Sequence, residues 1–163
     1  MIRAIAAVDD QLGLSTDQGI PWSVPADVAH FRSETASTDV LMGYATYEEY
    51  ARPMPGRTNY VATGRTEVLR TGFTPIADAV TFLQQRGPAD IWNIGGASLF
   101  AATLGLVQEI HLTRIAGAYG CTKFFPTFEA EFGLVSEEVT AASGDTPAFS
   151  FHVWRRSEAH PSL

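Results

Sequence analysis

Short apolar runs alternate with helix-spaced segments through the first two thirds of this chain, and then the alternation stops. Residues 2–8, 39–43, 59–63, 91–94 and 110–115 read as strands. Helices are expected at about 25–35, from Thr46 to about Tyr50, over 76–85 and over 97–103. In the third of these, Ile76, Ala79, Val80 and Leu83 recur at helical spacing, and Gly87-Pro88 ends the segment. Strands joined through helices run parallel, with right-handed crossovers. The last two runs, 132–140 and 148–155, have only a loop with Gly144, Asp145 and Pro147 between them, so they pair antiparallel. The expected fold is therefore α/β. It is a single domain over 1–158, with a mostly parallel central sheet, an antiparallel C-terminal edge and helices on both faces. Residues 159–163 form a tail. Ligands of such sheets sit beyond the carboxyl ends of the strands. That rule gathers the loop after residue 8, the Met42-Gly43 turn and Gly95-Gly96.

Composition narrows the function classes. A chain of 163 residues, 45% hydrophobic and 18% charged, has the make-up of a folded domain with one sizeable core. The net charge of −7, with ten arginines, the one lysine Lys123 and no basic run, argues against nucleic acid as a partner. Cys121 is the only cysteine, which excludes an intrachain disulfide and a Cys-based zinc site. His30, His111, His152 and His160 share no spacing that marks a metal site or a triad, and no metal is expected. The opening apolar run meets Asp9-Asp10 too early for a secretory signal or a membrane span. A cytoplasmic protein, without membrane attachment, is the expectation.

Chemistry concentrates in residues 20–31, Ile-Pro-Trp-Ser-Val-Pro-Ala-Asp-Val-Ala-His-Phe. Pro25 suits a helix start, where its missing N–H has no intrahelical partner. Asp27 lies in the first turn and shares a face with Phe31 four residues on. An acid among apolar groups is costly to desolvate unless paired. A ligand with two N–H donors in a fork supplies such a pair. The alternative is an acid that merely favours a helix N-terminus. Trp22 stands in the loop before it, and residues 9–23 are long enough for a lid.

Two strand–glycine–helix junctions follow. In Ile94-Gly95-Gly96-Ala97-Ser98-Leu99-Phe100 the glycines allow close backbone approach, and the helix start offers N–H groups to phosphate; taken alone, Gly-Gly more often marks only a tight turn. Met42-Gly43-Tyr44-Ala45-Thr46 repeats the pattern, and two such junctions suit a dinucleotide. Arg65, after the 59–63 strand, is a phosphate ligand or a solvated surface arginine. Arg57, after Pro55-Gly56, is a bidentate partner for a carboxylate or again surface charge. Thr113, polar among apolar neighbours, bonds either Asp27 or its own sheet.

In this order and spacing the segments resemble the dihydrofolate reductase family over nearly the whole chain. The resemblance rests on Pro21-Trp22…Pro25-Ala26-Asp27…Phe31, on Val40-Leu-Met-Gly43…Thr46 and on Arg52-Pro-Met-Pro-Gly-Arg57. It extends through Ile94-Gly95-Gly96 with Phe100, Leu112-Thr113, and Gly120-Cys121-Thr122…Phe124-Phe125-Pro126. The resemblance implies NADPH-dependent reduction of 7,8-dihydrofolate, with hydride added at C6 and a proton at N5. It implies catalytic roles for Asp27, Trp22 and Thr113, with Asp27 binding the 2-amino group and N3 of the pterin and Thr113 supporting it. Ile5, Ala7, Val28, Phe31, Tyr50, Met54, Ile94 and Phe100 would line the substrate pocket, and Arg57 would take the α-carboxylate of the glutamate tail. The cofactor would be held by Ala7, Leu12, Gly13, Ile20, Gly43, Tyr44, Thr46, Thr63, Gly64, Arg65, Gly95, Gly96, Ala97, Ser98 and Leu99. Arg65 would lie near its 2′-phosphate, and Ile20 would close over the nicotinamide. A monomer acting on a small molecule is the expected form.

Three features depart from the family pattern. Tyr44 and Ala45 follow Gly43, where a basic residue is usual. Cys121 stands where the late loop often has Asp, and the segment between Gly13 and Pro21 is longer than in compact members. Two other readings compete. A reductase of the same fold acting on a ribosylated pyrimidine should lack the Pro-Trp…Asp…Phe helix. A nucleotide-binding module without catalysis has no use for Asp27 and Trp22.

Overall fold

The computed structural model describes residues 1–64 and 68–158, and the fold builds outward from its first strand. In β1 (Ile2–Val8) the side chains alternate, Ala4 and Val8 entering one core and Ile5 another. A short strand, β2 (Gly13–Ser15), precedes α1 (Pro25–Thr35), which starts on Pro25 after an extended Val24. β3 (Asp39–Gly43) passes directly into α2 (Tyr44–Glu49). Then come β4 (Asn59–Ala62), β5 (Phe73–Ile76), α3 (Ala79–Gln85), β6 (Ile91–Asn93) and α4 (Ala97–Thr103), which runs into a 3-10 turn at Leu104–Leu106. β7 (Glu109–Ile115), β8 (Lys123–Phe124), β9 (Phe132–Thr140) and β10 (Phe149–Arg156) complete the described elements.

Eight strands form one sheet in the order β5-β4-β3-β6-β1-β7-β10-β9. Pairing is parallel from β5 through β7. It is antiparallel where β10 joins β7 and β9. The expected α/β architecture is the observed one. In β3, Val40, Leu41 and Met42 are all fully buried. A strand covered on both faces needs such a continuous apolar run. Val40 and Met42 pack with Ile5, Trp92, Phe31 of α1 and Tyr47 of α2. Leu41 packs on the other side with Ile91, Leu83 of α3 and Leu99 of α4. Each buried side chain of this size contributes about 1.5–3 kcal/mol. No helix among the described residues is long and apolar enough to cross a membrane.

Local expectations are corrected at three places. The segment 76–85 is not one helix: Phe73–Ile76 is an edge strand, and helix begins only at Ala79. Pro75 is compatible with a strand because β5 lies at the sheet edge. The Asp78 carboxylate caps α3 by accepting from the Thr81 N–H at 3.1 Å. Residues 9–23 are not all loop, since β2 pairs with β8. The helix expected from Thr46 begins two residues earlier, at Tyr44. Residues 159–163, expected as a tail, lie outside the described residues.

Candidate active site

Asp27 projects from the first turn of α1, and Thr113 rises from β7, where it is paired with Ala7 of β1 and Phe151 of β10. Thr113 is buried, and its side chain hydrogen-bonds the Asp27 carboxyl. Burial pushes the Asp27 carboxyl above its ordinary value, against the Thr113 hydroxyl and the charge of His30, which pull it down. His30, one turn along α1, stacks on Phe151 with ring centroids 4.0 Å apart and planes at 17°. That stack seats the helix on the antiparallel part of the sheet.

The same face carries an apolar floor. Ile5, Met42, Met54 and Trp92 form its buried part, with Phe31, Tyr50 and Ile94 partly buried against them. Val28 and Ile20 remain 50% and 65% exposed. Large apolar side chains exposed near a partly buried acid are what a flat ligand would cover. Trp22 meets Tyr119 edge-on at 5.4 Å and belongs to a cluster with Val24, Ile115 and Phe149.

At the far end of this floor Arg57 donates through Nε to the Pro55 carbonyl at 3.0 Å and through Nη1 to Thr35 Oγ1 at 2.6 Å. Asn59 shapes the turn beneath it. Its amide oxygen accepts from the Met54 N–H at 2.9 Å, and its NH2 donates to the Met54 and Arg57 carbonyls, both at 3.0 Å. Burial raises the Tyr50 phenol, as does Glu49, while the charges of Arg32 and Arg57 act in the opposite direction. This end of the face is cationic.

The two glycine junctions lie side by side. The Gly43 N–H donates to the Gly95 carbonyl at 2.7 Å, and the Ile94 N–H to the Leu41 carbonyl at 2.9 Å. A Cβ on Gly43 would stand 3.7 Å from that Gly95 oxygen, and one on Gly96 would stand 3.7 Å from Thr46 Oγ1. The two glycine backbones therefore lie close together, with Thr46 Oγ1 and Leu99 Cβ beside them. Gly95 has φ +94°, and a side chain there would strike the Phe100 ring at 2.6 Å. The peptide bond between Gly95 and Gly96 is cis. Asn93 holds the turn by accepting from the Gly95 N–H at 3.0 Å and donating to Thr103 Oγ1 at 2.8 Å. Ala97, Ser98 and Leu99 open α4. Thr63 is tied to β5 through its N–H on the Ile76 carbonyl at 3.0 Å, and Gly64 is exposed beside it. Arg65 lies outside the described residues.

Three further residues expected at the site are packed against neighbouring elements. Phe100 is buried with Ala4, Val8 and Phe125, on the sheet face opposite Ile5 and Phe31. The Gly95 turn fixes that, because the ring lies directly under it. Leu12 packs toward the same core, and Gly13 is enclosed by Asp9 and Cys121. Conversely, Asp9, Asn59, Asn93 and Tyr119 organise the site's surroundings and were not anticipated. For Asp9, Asn59 and Asn93 the one local signal is a polar residue at the edge of an apolar strand; Tyr119, in the loop after β7, gives none.

The profile of the dihydrofolate reductase family matches residues 1–156. The chain belongs to the dihydrofolate reductase family. Dihydrofolate reductase of Bacillus subtilis (strain 168) is 31% identical over 140 residues, covering 85% of this chain and 83% of that protein. Dihydrofolate reductase type 3 of Salmonella typhimurium is 34% identical over 130 residues, covering 78% and 80%. Among solved structures, dihydrofolate reductase from Enterococcus faecalis, complexed with NADP(H) and RAB-propyl, aligns with a TM-score of 0.88. It is 22% identical, covers 97% of each chain, and shows that the reductase fold is shared.

Proposed function

We propose that the chain reduces 7,8-dihydrofolate to 5,6,7,8-tetrahydrofolate as an NADPH-dependent enzyme. One observation carries the reading: a partly buried acid, Asp27, paired with Thr113 on an apolar face beside two joined glycine junctions. Membership of the family and the names of the curated relatives favour it over a pyrimidine reductase or a binding module.

The chain's residues fit a dinucleotide. Gly43, Thr46, Gly95, Gly96, Ala97, Ser98 and Leu99 surround a groove whose floor a Cβ would fill. When bound, NADPH supplies the hydride that C6 of the pterin accepts, and a proton is added at N5. Asp27 accepts the pterin's 2-amino and N3 donors, and Thr113 holds the carboxylate in place. An anion in an apolar pocket stabilises the cationic character that the pterin gains on protonation. Ile5, Ala7, Val28, Phe31, Tyr50, Met54 and Ile94 press the ring flat and exclude water. Arg57 takes the α-carboxylate of the glutamate tail, and Trp22 and Ile20 close the site from the lid. A cytoplasmic monomer is part of the same reading, and the single cysteine suits a reducing compartment.

The test follows the absorbance of reduced nicotinamide with and without dihydrofolate. Loss that requires dihydrofolate is expected. Loss that requires a ribosylated pyrimidine instead, or no loss with either, overturns the reading.

A further inference from the structure

Arg70, in the segment between β4 and β5, grips Tyr47 of α2 in three ways. Its guanidinium lies over the Tyr47 ring, 4.0 Å from the centroid. Its Nη2 donates to the Tyr47 carbonyl at 2.7 Å. Its own backbone N–H donates to the Tyr47 hydroxyl at 2.9 Å. The same Nη2 also donates to the Tyr50 carbonyl. α2 has six residues, too few for a helix that is stable by itself, and its last carbonyls have no partner within it. Arg70 supplies that partner. The Tyr50 N–H donates to the Tyr47 carbonyl at 3.0 Å, so both backbone groups of Tyr50 are tied down. The same stretch braces the chain beyond Tyr50. Gly72 has φ +93°, and a Cβ there would stand 2.6 Å from Pro53 Cγ. Leu69 packs on the cluster that contains Met54 and Ile5, as Tyr50 does.

The place of Tyr50 gives this anchoring a use. Its ring is partly buried against the apolar floor, and its phenol feels the charges of Arg32 and Arg57. It therefore lies where the floor meets the cationic end. In a dihydrofolate with its pterin at Asp27 and its α-carboxylate at Arg57, the part that crosses this point is the aryl ring joining pterin to glutamate. Arg70 acts from behind the pocket, on the Tyr47 ring and on the backbone of Tyr50.

We infer that Arg70 is a positioning residue for substrate, its guanidinium fixing the backbone of Tyr50 so that the Tyr50 ring is held against the aryl ring of dihydrofolate. This rests on the reductase reading above. The residue type follows from the geometry. A planar guanidinium stacks on an aromatic face and still aims N–H donors at acceptors along its edge. A lysine ammonium has donors but no plane, and methionine has neither.

The experiment titrates a ligand series by calorimetry: a 7,8-dihydropterin without a tail, 7,8-dihydropteroate, which adds the aryl ring, and 7,8-dihydrofolate, which adds the glutamate. The proteins are wild type, Arg70→Met, Arg70→Lys, Tyr50→Leu and the double variant of Arg70→Met with Tyr50→Leu. Arg70→Met should weaken dihydropteroate and dihydrofolate alike by about fivefold, the loss of one aromatic contact, and leave the dihydropterin within about twofold. With Tyr50→Leu already in place, Arg70→Met should change dihydropteroate affinity by less than about twofold, because two residues acting through one contact are not additive. Arg70→Lys should move in the same direction as Arg70→Met, and it carries the test if Arg70→Met does not fold. Dihydropteroate bound as tightly as by wild type overturns the inference. Equal weakening of all three ligands makes Arg70 a general brace of the fold and overturns it too. Weakening of dihydrofolate alone assigns Arg70 to the tail, and a full loss that persists without the Tyr50 ring removes the route through Tyr50; either result overturns the positioning role. A wild-type chain that binds none of the three overturns the reductase reading, and the role of Arg70 falls with it.

Discussion

The guanidinium of Arg57 donates to the hydroxyl of Thr35 at 2.6 Å, and that hydroxyl donates in turn to the Phe31 carbonyl at 2.8 Å. The chain Arg57–Thr35–Phe31 ties the cationic end of the site to the helix that carries Asp27. It fixes the plane of the guanidinium before any carboxylate arrives, which lowers the ordering cost of binding one. Arg57→Ala should therefore weaken folates bearing a glutamate tail by about 1.5–3 kcal/mol, roughly 10- to 150-fold in Kd. A pterin without the tail should bind within about twofold of wild type. Calorimetric titration of both ligands is the measurement. Equal weakening of the two would assign Arg57 to the helix joint alone.

His152 predicts a loss of stability toward acid. Burial lowers its pKa below the ordinary histidine value; Glu137 opposes this and Arg114 adds to it. Its Nε2 lies 2.9 Å from Ser150 Oγ, and Nδ1 is buried without a hydrogen-bond partner among the described residues. Because the folded pKa is the lower one, the unfolded chain binds the proton first as pH falls. Folding stability should then decline as pH drops through the unfolded-histidine range, about 6.5, toward the lower folded value. Urea unfolding of the wild type and His152→Gln at neutral and mildly acid pH tests this. The variant should lose less stability over the interval, and parallel curves would exclude His152 as the cause.

The departure at Tyr44 bears on cofactor choice. Tyr44 opens α2 immediately after Gly43 and packs against Tyr47, with ring centroids 5.4 Å apart. A 2′-phosphate attracts cationic partners, and Tyr44 supplies no charge. NADPH should still be preferred over NADH through Arg65, by a margin that narrows as salt rises. Arg65→Ala should bring the two cofactors close to parity. Tyr44→Arg should tighten NADPH and leave NADH little changed. Affinities of both cofactors at low and high salt decide the matter. A preference that survives Arg65→Ala assigns the phosphate to other groups.

How much was legible depended on whether the signal was local. Val40-Leu41-Met42 announced a strand buried on both faces, and it is one. β5 was missed because Pro75 argues against a strand unless the edge position is known. The start of α3 was missed because Ile76 extends the helical period backwards, although Asp78 is the true cap. Asp9 showed only as a polar residue after an apolar strand, since its Oδ2 partner Tyr119 is 110 residues away in the chain. Asp27, Phe31, Met54 and the two glycine junctions were legible because each lies in a short motif of fixed spacing.

Asp27 should show opposed effects on stability and activity. Its folded pKa is raised, first by burial, so the folded state holds the proton more tightly than the unfolded chain. Between the ordinary aspartate value of 3.8 and that raised value, stability falls as pH rises, and at neutral pH the ionised carboxylate costs stability. Asp27→Asn removes the charge and still offers Thr113 an acceptor oxygen. The variant should melt higher than wild type at neutral pH, by about 2–4 °C for each kcal/mol relieved in a domain of this size. The gain should vanish at pH well below 3.8, where the wild-type carboxyl is itself protonated. Activity should move the other way. A neutral amide does not favour the protonated pterin, so about 2–4 kcal/mol of transition-state stabilisation should be lost at neutral pH. That loss should shrink in acid, where substrate arrives already protonated. Melting curves and kcat/KM across the same pH series test both halves on one sample. A variant that is both less stable and near-normal in turnover at neutral pH would show that Asp27 is a structural acid at a helix start, and the function assigned to this site would fall with it.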